Sequence, residues 1–410
     1  MPDRATILRA GWIVPAQAPP LADGAVVTAG GRIVRVGPWR TVEPHVGPAD
    51  TVRHVADSAV LPGLLNAHTH LGLSDMAGKF KPTENFPAWI GRLTGRLMLR
   101  SAGSARRAVE TGRDLALTAG TAGGAEITYD SALADPLADG GVRWTVFGEL
   151  FRFGDKAVAH VARTAEALAD LAGRTGLAVG LAPHAPYSTG AEVFLAARRE
   201  ADARGWPVTT HLHETEEEFA FTERGEGPFA AWMRRLRVLP SGWRPPGVRP
   251  IPLLAEAGFF AGPVLVAHAN YLTDDEIGIL ARSGSAVAWC PRSHAFFGHR
   301  DHPWRRLRAA GVPVCLGTDS LASAPSLSML DEIRFVFSRE PGADPQTLLA
   351  MATVEGARAL GAADRLGDLR EGLSAAACVV GPLPRTDNPL AAILAGEGSV
   401  TPIFPAAAPE

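Results

Sequence analysis

Two histidines one residue apart, His68 and His70, close the apolar run of "LLNAHTHLGLSD". On a strand, residues two apart point to one face, so both imidazoles address the same space. Further along, His184 ends "LAPHAPYS", His211 and Glu214 lie in "THLHETEEE", His268 ends "VLVAHAN", and Asp319 ends "VPVCLGTDS". Imidazole nitrogens with one carboxylate suit Zn²⁺ first and Fe²⁺ second, and a catalytic ion of this kind keeps a position open for water. Water is therefore the expected reagent. Any one of these histidines alone would fit a packed core or a surface, and "GTDS" alone says little. Their joint placement, each at the end of a different apolar run, is what points to a site.

The elements that must position them follow from the pattern of apolar runs. "AVLPGLLNA", "TAGGAEI", "VRWTVFGEL", "LAVGLAP", "PVTTHLHE", "PVLVAHAN", "SAVAWC" and "VPVCLGTD" alternate with amphipathic stretches at 155–172, 190–204, 273–283 and 326–338. Eight such units over residues 59–365 predict a (β/α)8 TIM barrel, whose strand carboxyl ends gather chemistry at one mouth. Residues 1–58 read as short β segments, with "AVVTAGGRIVRVG" forming a hairpin about Gly30 and Gly31. Residues 366–404 return to β character, so a small β-sandwich unit built from both ends of the chain is expected. The Pro-rich "LPSGWRPPGVRP" at 239–250 reads as a structured excursion over the barrel mouth, and "FPAAAPE" as a short tail.

Composition narrows the partners. A chain of 410 residues, 46% hydrophobic, with formal charge −3, can bury a large core and offers no basic field for nucleic acid or anionic lipid. No apolar run reaches the roughly 18 residues of a membrane span, and "MPDRATILRAGWIV" lacks a signal-peptide pattern, so a cytoplasmic protein is expected. Cys290, Cys315 and Cys378 are an odd number without paired spacing, against a disulfide framework or a cysteine-based zinc site.

The motifs "PGLLNAHTHL", "THLHETEEE", "VLVAHANYLTDDEI", "VAWCPRSHAFFG" and "VPVCLGTDSLAS" together resemble the amidohydrolase superfamily, in its branch of nucleoside and nucleobase deaminases and chlorohydrolases. The resemblance runs through most of the chain. It implies His68, His70, His211 and Asp319 as metal ligands, Glu214 as general acid/base, and His268 as the group that orients substrate and polarises the attacked water. Binuclear members commonly hold a carbamylated lysine at the end of strand four; this chain has "LAPHAPYS" there and lysine only at 79, 81 and 156. One divalent metal is therefore expected. The implied reaction is attack of metal-bound hydroxide on an adenine-type carbon with release of ammonia; Asp319 would take the water's proton and Glu214 would protonate the ring nitrogen.

Within that branch the segments resemble the deaminases of 6-aminodeoxyfutalosine in the menaquinone pathway, which would place His184 and Arg292 at the substrate, Arg292 against a carboxylate. "KPTENFPAWIGR" would bring Glu84, Phe86 and Trp89 to a purine-type small molecule, although Phe86 and Trp89 equally fit the packed face of a helix. Many relatives carry Asn where His294 stands, so the base contact expected there is open, and His213 fits either the inward face or the core. Glu216, Glu217 and Glu218 read as a solvated helix start. The run "AAACVV" departs from the relatives' Ala-Asp-Leu-Val type, implying a trimmed β unit. S-adenosylhomocysteine or methylthioadenosine, guanine-type bases and triazine chlorides remain rival substrates, and a non-catalytic scaffold would have lost ligands that are all present here. Relatives often assemble as homodimers or larger homo-oligomers, which the resemblance extends to this chain as an expectation.

Overall fold

The computed structural model describes residues 4–396 and 398–403. The expected end of the terminal β unit at residue 404 and the "FPAAAPE" tail lie outside the described residues. Fourteen strands are present in them: β1 Thr6–Ile13, β2 Leu21–Ala29, β3 Arg32–Pro38, β4 Thr51–Pro62, β5 Leu64–Thr69, β6 Thr121–Thr128, β7 Arg143–Leu150, β8 Ala178–Pro183, β9 Thr209–Leu212, β10 Leu265–His268, β11 Ala286–Trp289, β12 Val314–Leu316, β13 Ala377–Gly381 and β14 Ser399–Ile403.

Eight of them, β5 to β12, form two parallel arcs, β5-β6-β7-β8 and β9-β10-β11-β12. Two seams join the arcs. At one, Leu181 pairs with Val208, and the amide of His211 donates to the carbonyl of His184 at 2.9 Å. At the other, Thr69 pairs with Asp319, whose amide donates to the carbonyl of His68 at 3.0 Å. The ring is the expected (β/α)8 barrel. Each apolar run became a strand because both of its faces are covered, as the near-continuous burial of β5, β6, β9, β10 and β11 shows. The largest core sits between strands and outer helices, joining Val146, Leu181, Val266 and Val287 to Leu168, Phe194, Leu280 and Ile333. The amphipathic stretches are helices at Asp155–Thr175, Ala191–Arg204, Asp274–Arg282 and Met329–Arg339, the third started by a capping box between Thr273 and Glu276.

The two ends of the chain build one six-stranded sheet, in the order β14-β13-β4-β1-β2-β3. The hairpin at Gly30 and Gly31 is β2-β3, with both glycines at positive φ as a tight turn requires. Separate apolar clusters lie about Leu8, Ile13, Ile33 and Val60, and about Ile7, Val27 and Val42. Strand β4 carries on through residue 58 to Pro62, and only Gly63 separates it from β5.

A third cluster gathers Phe86, Trp89, Tyr187, Phe221, Phe229 and Phe297, with Leu239 and Trp243 of the Pro-rich insertion packed against it. Trp243 stacks on Phe221 at 4.9 Å between ring centroids. No helix among the described residues is long and apolar enough to cross a membrane.

Candidate active site

His68 ends β5, and its ring is buried with neither nitrogen partnered. Two unpaired ring nitrogens in a dry interior are costly unless something else meets one of them. His70 follows one residue later, and His211 comes from β9; their Nε2 atoms stand 3.3 Å apart. Three imidazoles thus converge, with a ligand atom of each within 4.8 Å of the others. Burial, and for His68 and His211 the neighbouring histidines, lowers all three, His68 and His211 well below the usual imidazole range, which favours the neutral form that presents a lone pair.

Asp319 reaches this group from the turn after β12, its Oδ1 at 3.9 Å from His70 Nε2. Its Oδ2 accepts hydrogen bonds from Ser293 Oγ at 2.6 Å and Ser323 Oγ at 2.9 Å. One carboxylate oxygen is anchored and the other is left to the histidines. Neutral nitrogens, one fixed carboxylate and the orphaned His68 ring fit a divalent metal ion, the donor set that structural and catalytic Zn²⁺ chemistry uses.

Glu214 and His268 stand beside these ligands. His268 Nε2 is 3.5 Å from Glu214 Oε1, and both form a second close group with Asp319. Burial first, then Asp319 and Glu218, pushes the Glu214 carboxyl well above the usual carboxylate range; burial lowers His268 to about 4. Both shifts favour the uncharged forms, an acid that keeps its proton facing an imidazole that gives its proton up. His213, His268, Ala269 and Asp319 hold left-handed backbone angles, with φ of 54°, 69°, 54° and 59°. Such angles cost non-glycine residues energy and survive where surrounding bonds over-determine them.

The cavity above has a volume of about 1240 Å³. Phe86, Trp89 and His184 line it, together with His70, His211, Glu214, His268 and Asp319. His184 Nδ1 bonds Ser188 Oγ at 2.6 Å, and Ser188 Oγ donates onward to the carbonyl of Ala185. His184 therefore donates through Nδ1 and turns a bare Nε2 toward Glu149, 3.8 Å away.

Three expected substrate contacts are placed elsewhere. Arg292 is buried on the barrel's outer side: Nε donates to Glu332 at 2.7 Å, and the remaining nitrogens donate to Ser326 and to the carbonyls of Ser326 and Ser328. Its fork is already filled, so it has nothing left for a ligand's carboxylate. Glu84 is exposed, its side chain lying over Gly298. His294 points behind the site, where Nδ1 bonds Asn270 Oδ1 at 3.0 Å. His213 is buried against the carbonyl of Tyr271 and takes no part in the metal group. Nor is Glu218 solvated: it is fully buried and accepts from the amide of His213 at 3.0 Å. The positive end expected to favour it is replaced by one specific donor.

Sequence reading missed Glu126 and Glu149, at the ends of β6 and β7. Glu126 accepts from the amides of Leu71 at 2.7 Å and Gly72 at 3.2 Å, fixing the turn that follows His70. Both carboxyls line the cavity, and burial raises each to about 8. Also missed were Arg152, Lys156, Arg163 and Arg237, which line the cavity as well. A glutamate ending an apolar run was the available signal for the acids; the cations, from segments far apart in sequence, left none.

A model of the amidohydrolase family matches residues 59–404. The chain belongs to that family. It is a hydrolase acting on C–N bonds. An aminodeoxyfutalosine deaminase of Deinococcus radiodurans is 31% identical over 354 residues, covering 82% of this chain and 81% of the relative. Among solved structures, the Helicobacter pylori aminofutalosine deaminase in complex with methylthio-coformycin superposes with a TM-score of 0.84, covering 97% of this chain and 98% of that one at 22% identity. An adenosine deaminase from Xanthomonas campestris with bound zinc gives 0.75, with 98% and 92% covered at 26% identity.

Proposed function

We propose that this amidohydrolase deaminates an adenine-type nucleoside, with 6-aminodeoxyfutalosine as the preferred substrate and Zn²⁺ as the resident ion, Fe²⁺ being second. The observation that carries the reaction type is the buried Glu214, its carboxyl pushed toward the protonated form, 3.5 Å from His268 and lining the cavity beside His70, His211 and Asp319. His68, His70, His211 and Asp319 would hold the ion, which supplies a Lewis acid and a water acidified toward neutrality.

The chain's own groups do the rest. An adenine carbon bearing the amino group resists attack until the adjoining ring nitrogen is protonated, and Glu214 carries a proton at the cavity wall to give it. Asp319, with Oδ2 held by two serines, offers Oδ1 to take a proton from the attacking water. That proton returns to the amine, which leaves as ammonia, and the second proton of the water, on the new hydroxyl, goes back to Glu214 as the ring becomes the oxo form, so one water is consumed and the acid is restored. His268, neutral and 3.5 Å from Glu214, orients the water and the oxygen that replaces nitrogen. Phe86, Trp89 and Tyr187 offer apolar faces to a base.

Support for the substrate comes from the size and lining of the cavity. Its volume exceeds the roughly 300–1,000 Å³ of ordinary small-molecule pockets, and Arg152, Lys156, Arg163 and Arg237 are among its lining residues. Aminodeoxyfutalosine carries a benzoate, an apolar ring ending in a carboxylate that such cations suit, and the D. radiodurans relative bears that substrate's name. The test is ammonia release by the metal-loaded protein from 6-aminodeoxyfutalosine, S-adenosylhomocysteine, methylthioadenosine, adenosine and guanine. A kcat/KM for the first at least about tenfold above the others, a difference of about 1.4 kcal/mol, supports the assignment. Equal or better turnover of methylthioadenosine overturns it.

A further inference from the structure

We infer that Asn270 and His294 are positioning residues for the proton donor, acting as a strap behind Glu214; this rests on the reading of Glu214 as that donor. Asn270 sits two residues beyond His268, in the turn after β10. Its Nδ2 donates to the backbone carbonyl of Glu214 at 2.9 Å, and its own amide donates to the carbonyl of His213 at 3.0 Å. One asparagine thus ties down two consecutive residues of the neighbouring turn, the first of them at φ 54°. The next amide back, that of Ala269, donates to the carbonyl of Leu212 at 3.0 Å, continuing the pairing beyond the strand ends.

A carbonyl only accepts, so the Asn270 amide must turn its nitrogen to Glu214 and its oxygen the other way. That oxygen receives His294 Nδ1 at 3.0 Å. His294 must then donate through Nδ1, and its bond fixes the amide in the orientation that holds Glu214. Without it, the Asn270 side chain has no reason to keep its nitrogen on the Glu214 carbonyl rather than swing. The consequence reaches the carboxyl through the backbone: Glu214 Oε1 stands 3.5 Å from His268 Nε2, and both residues are carried by the strapped turns. Neither Asn270 nor His294 lines the cavity, so neither touches substrate.

The arrangement also explains what a histidine does at this position. An asparagine amide nitrogen lies the same number of bonds from the backbone as His Nδ1. His294→Asn therefore keeps a donor for Asn270 Oδ1, whereas His294→Leu fills the space and removes it.

The experiment measures kcat, KM and bound metal for wild type, His294→Leu, His294→Asn, Asn270→Ala, the double variant His294→Leu/Asn270→Ala, and Glu214→Gln, on the nucleoside with the highest kcat/KM in the panel above. Asn270→Ala is expected to lower kcat by about 10²-fold, the loss typical of a misplaced group remote from the chemistry. KM should stay within about twofold and metal content at wild type, a split that general loosening of the fold would not give. His294→Leu should lose about tenfold, His294→Asn should recover most of that, and the double variant should be no worse than Asn270→Ala, because His294 acts only through Asn270. The inference is overturned if His294→Leu matches wild type, if His294→Asn is as poor as His294→Leu, if the two losses multiply, or if kcat falls only in step with metal. Failure of the underlying reading looks different: Glu214→Gln would itself retain wild-type kcat, and the strap would fall with it.

Discussion

At the scale of single residues, the site is a set of groups forced away from their ordinary protonation states by burial. Burial pushes the histidines near the metal position toward the neutral form and the glutamates around them toward the protonated form, an arrangement suited to accepting a cation at one point and giving a proton at another. Glu149 shows the cost. Its Oε1 is buried without a partner, and burial alone raises its carboxyl to about 8 against 4.5 for a free side chain. Between those values the folded state holds a proton that the unfolded state has lost, so this group's contribution to stability falls as pH rises from about 4.5 to 8. Glu149→Gln keeps the shape and removes the titration. Thermal unfolding at matched metal content should show the variant gaining a few degrees on wild type between pH 5 and pH 8; a constant difference would contradict the burial argument. The residues that sequence revealed were those whose position on a strand decides their direction: His68, His70, His184, His211, His268 and Asp319 all face the mouth because each ends a strand or follows one directly. Arg292 was misread because its partner, Glu332, lies 40 residues away, and nothing in "CPRSHAFFG" records that pairing. The same is true of Ser293 and Ser323, which hold Asp319 from the helix Pro291–Phe296 and from the turn after Asp319.

At the scale of elements, the ring's closure and the site's geometry are one problem, since the β5-β12 seam carries His68 on one side and Asp319 on the other. Asn66 and Thr318 brace it, with Asn66 Nδ2 donating to Thr318 Oγ1 at 2.8 Å and the Thr318 amide donating back to Asn66 Oδ1 at 3.1 Å. Gly317 permits the approach. A Cβ added there would meet the carbonyl oxygen of His68 at 2.8 Å and its Cβ and amide nitrogen at 2.9 Å. Backbone cannot swing aside as a flexible side chain can, so Gly317→Ala should push the strands apart, costing about 1–3 kcal/mol and weakening metal retention. Chemical denaturation and metal analysis would check this together; a variant with wild-type stability and metal would show that the seam has slack. The eight strands were legible as apolar runs, being buried on both faces, and four of the helices because each is long enough to carry its own period. The seams were not, because they are single bridges between elements whose order, but not register, the sequence supplies.

At the scale of the whole molecule, barrel and terminal sheet share interior. Val14, Ala59, Leu61, Cys378 and Val380 of the sheet belong to the same core as barrel residues Leu64, Trp144 and Leu316. Further ties cross between them: Asp368 accepts from the amide of Ala16 at 2.7 Å, and Gln346 Nε2 donates to the carbonyls of Pro15 and Ala16 at 2.9 and 2.7 Å. Calorimetry of the metal-loaded protein should therefore show one cooperative transition; two resolved transitions would show that the sheet folds on its own. The aromatic cluster beside the cavity and the cations that line it also belong to this scale, assembled from 86–98, 152–163, 229–243 and 296–297. No local spacing announces such a wall.

In the proposed reaction a buried acid, set beside a metal position, protonates an adenine-type ring as water displaces its amino group. The most direct measurement is ammonia release by wild type and Glu214→Gln side by side, at equal bound metal and saturating 6-aminodeoxyfutalosine. The amide fills the same space but cannot give the proton, so kcat should fall by about 10²- to 10⁴-fold while metal content is unchanged. Glu214→Gln turning over at the wild-type rate would contradict the account.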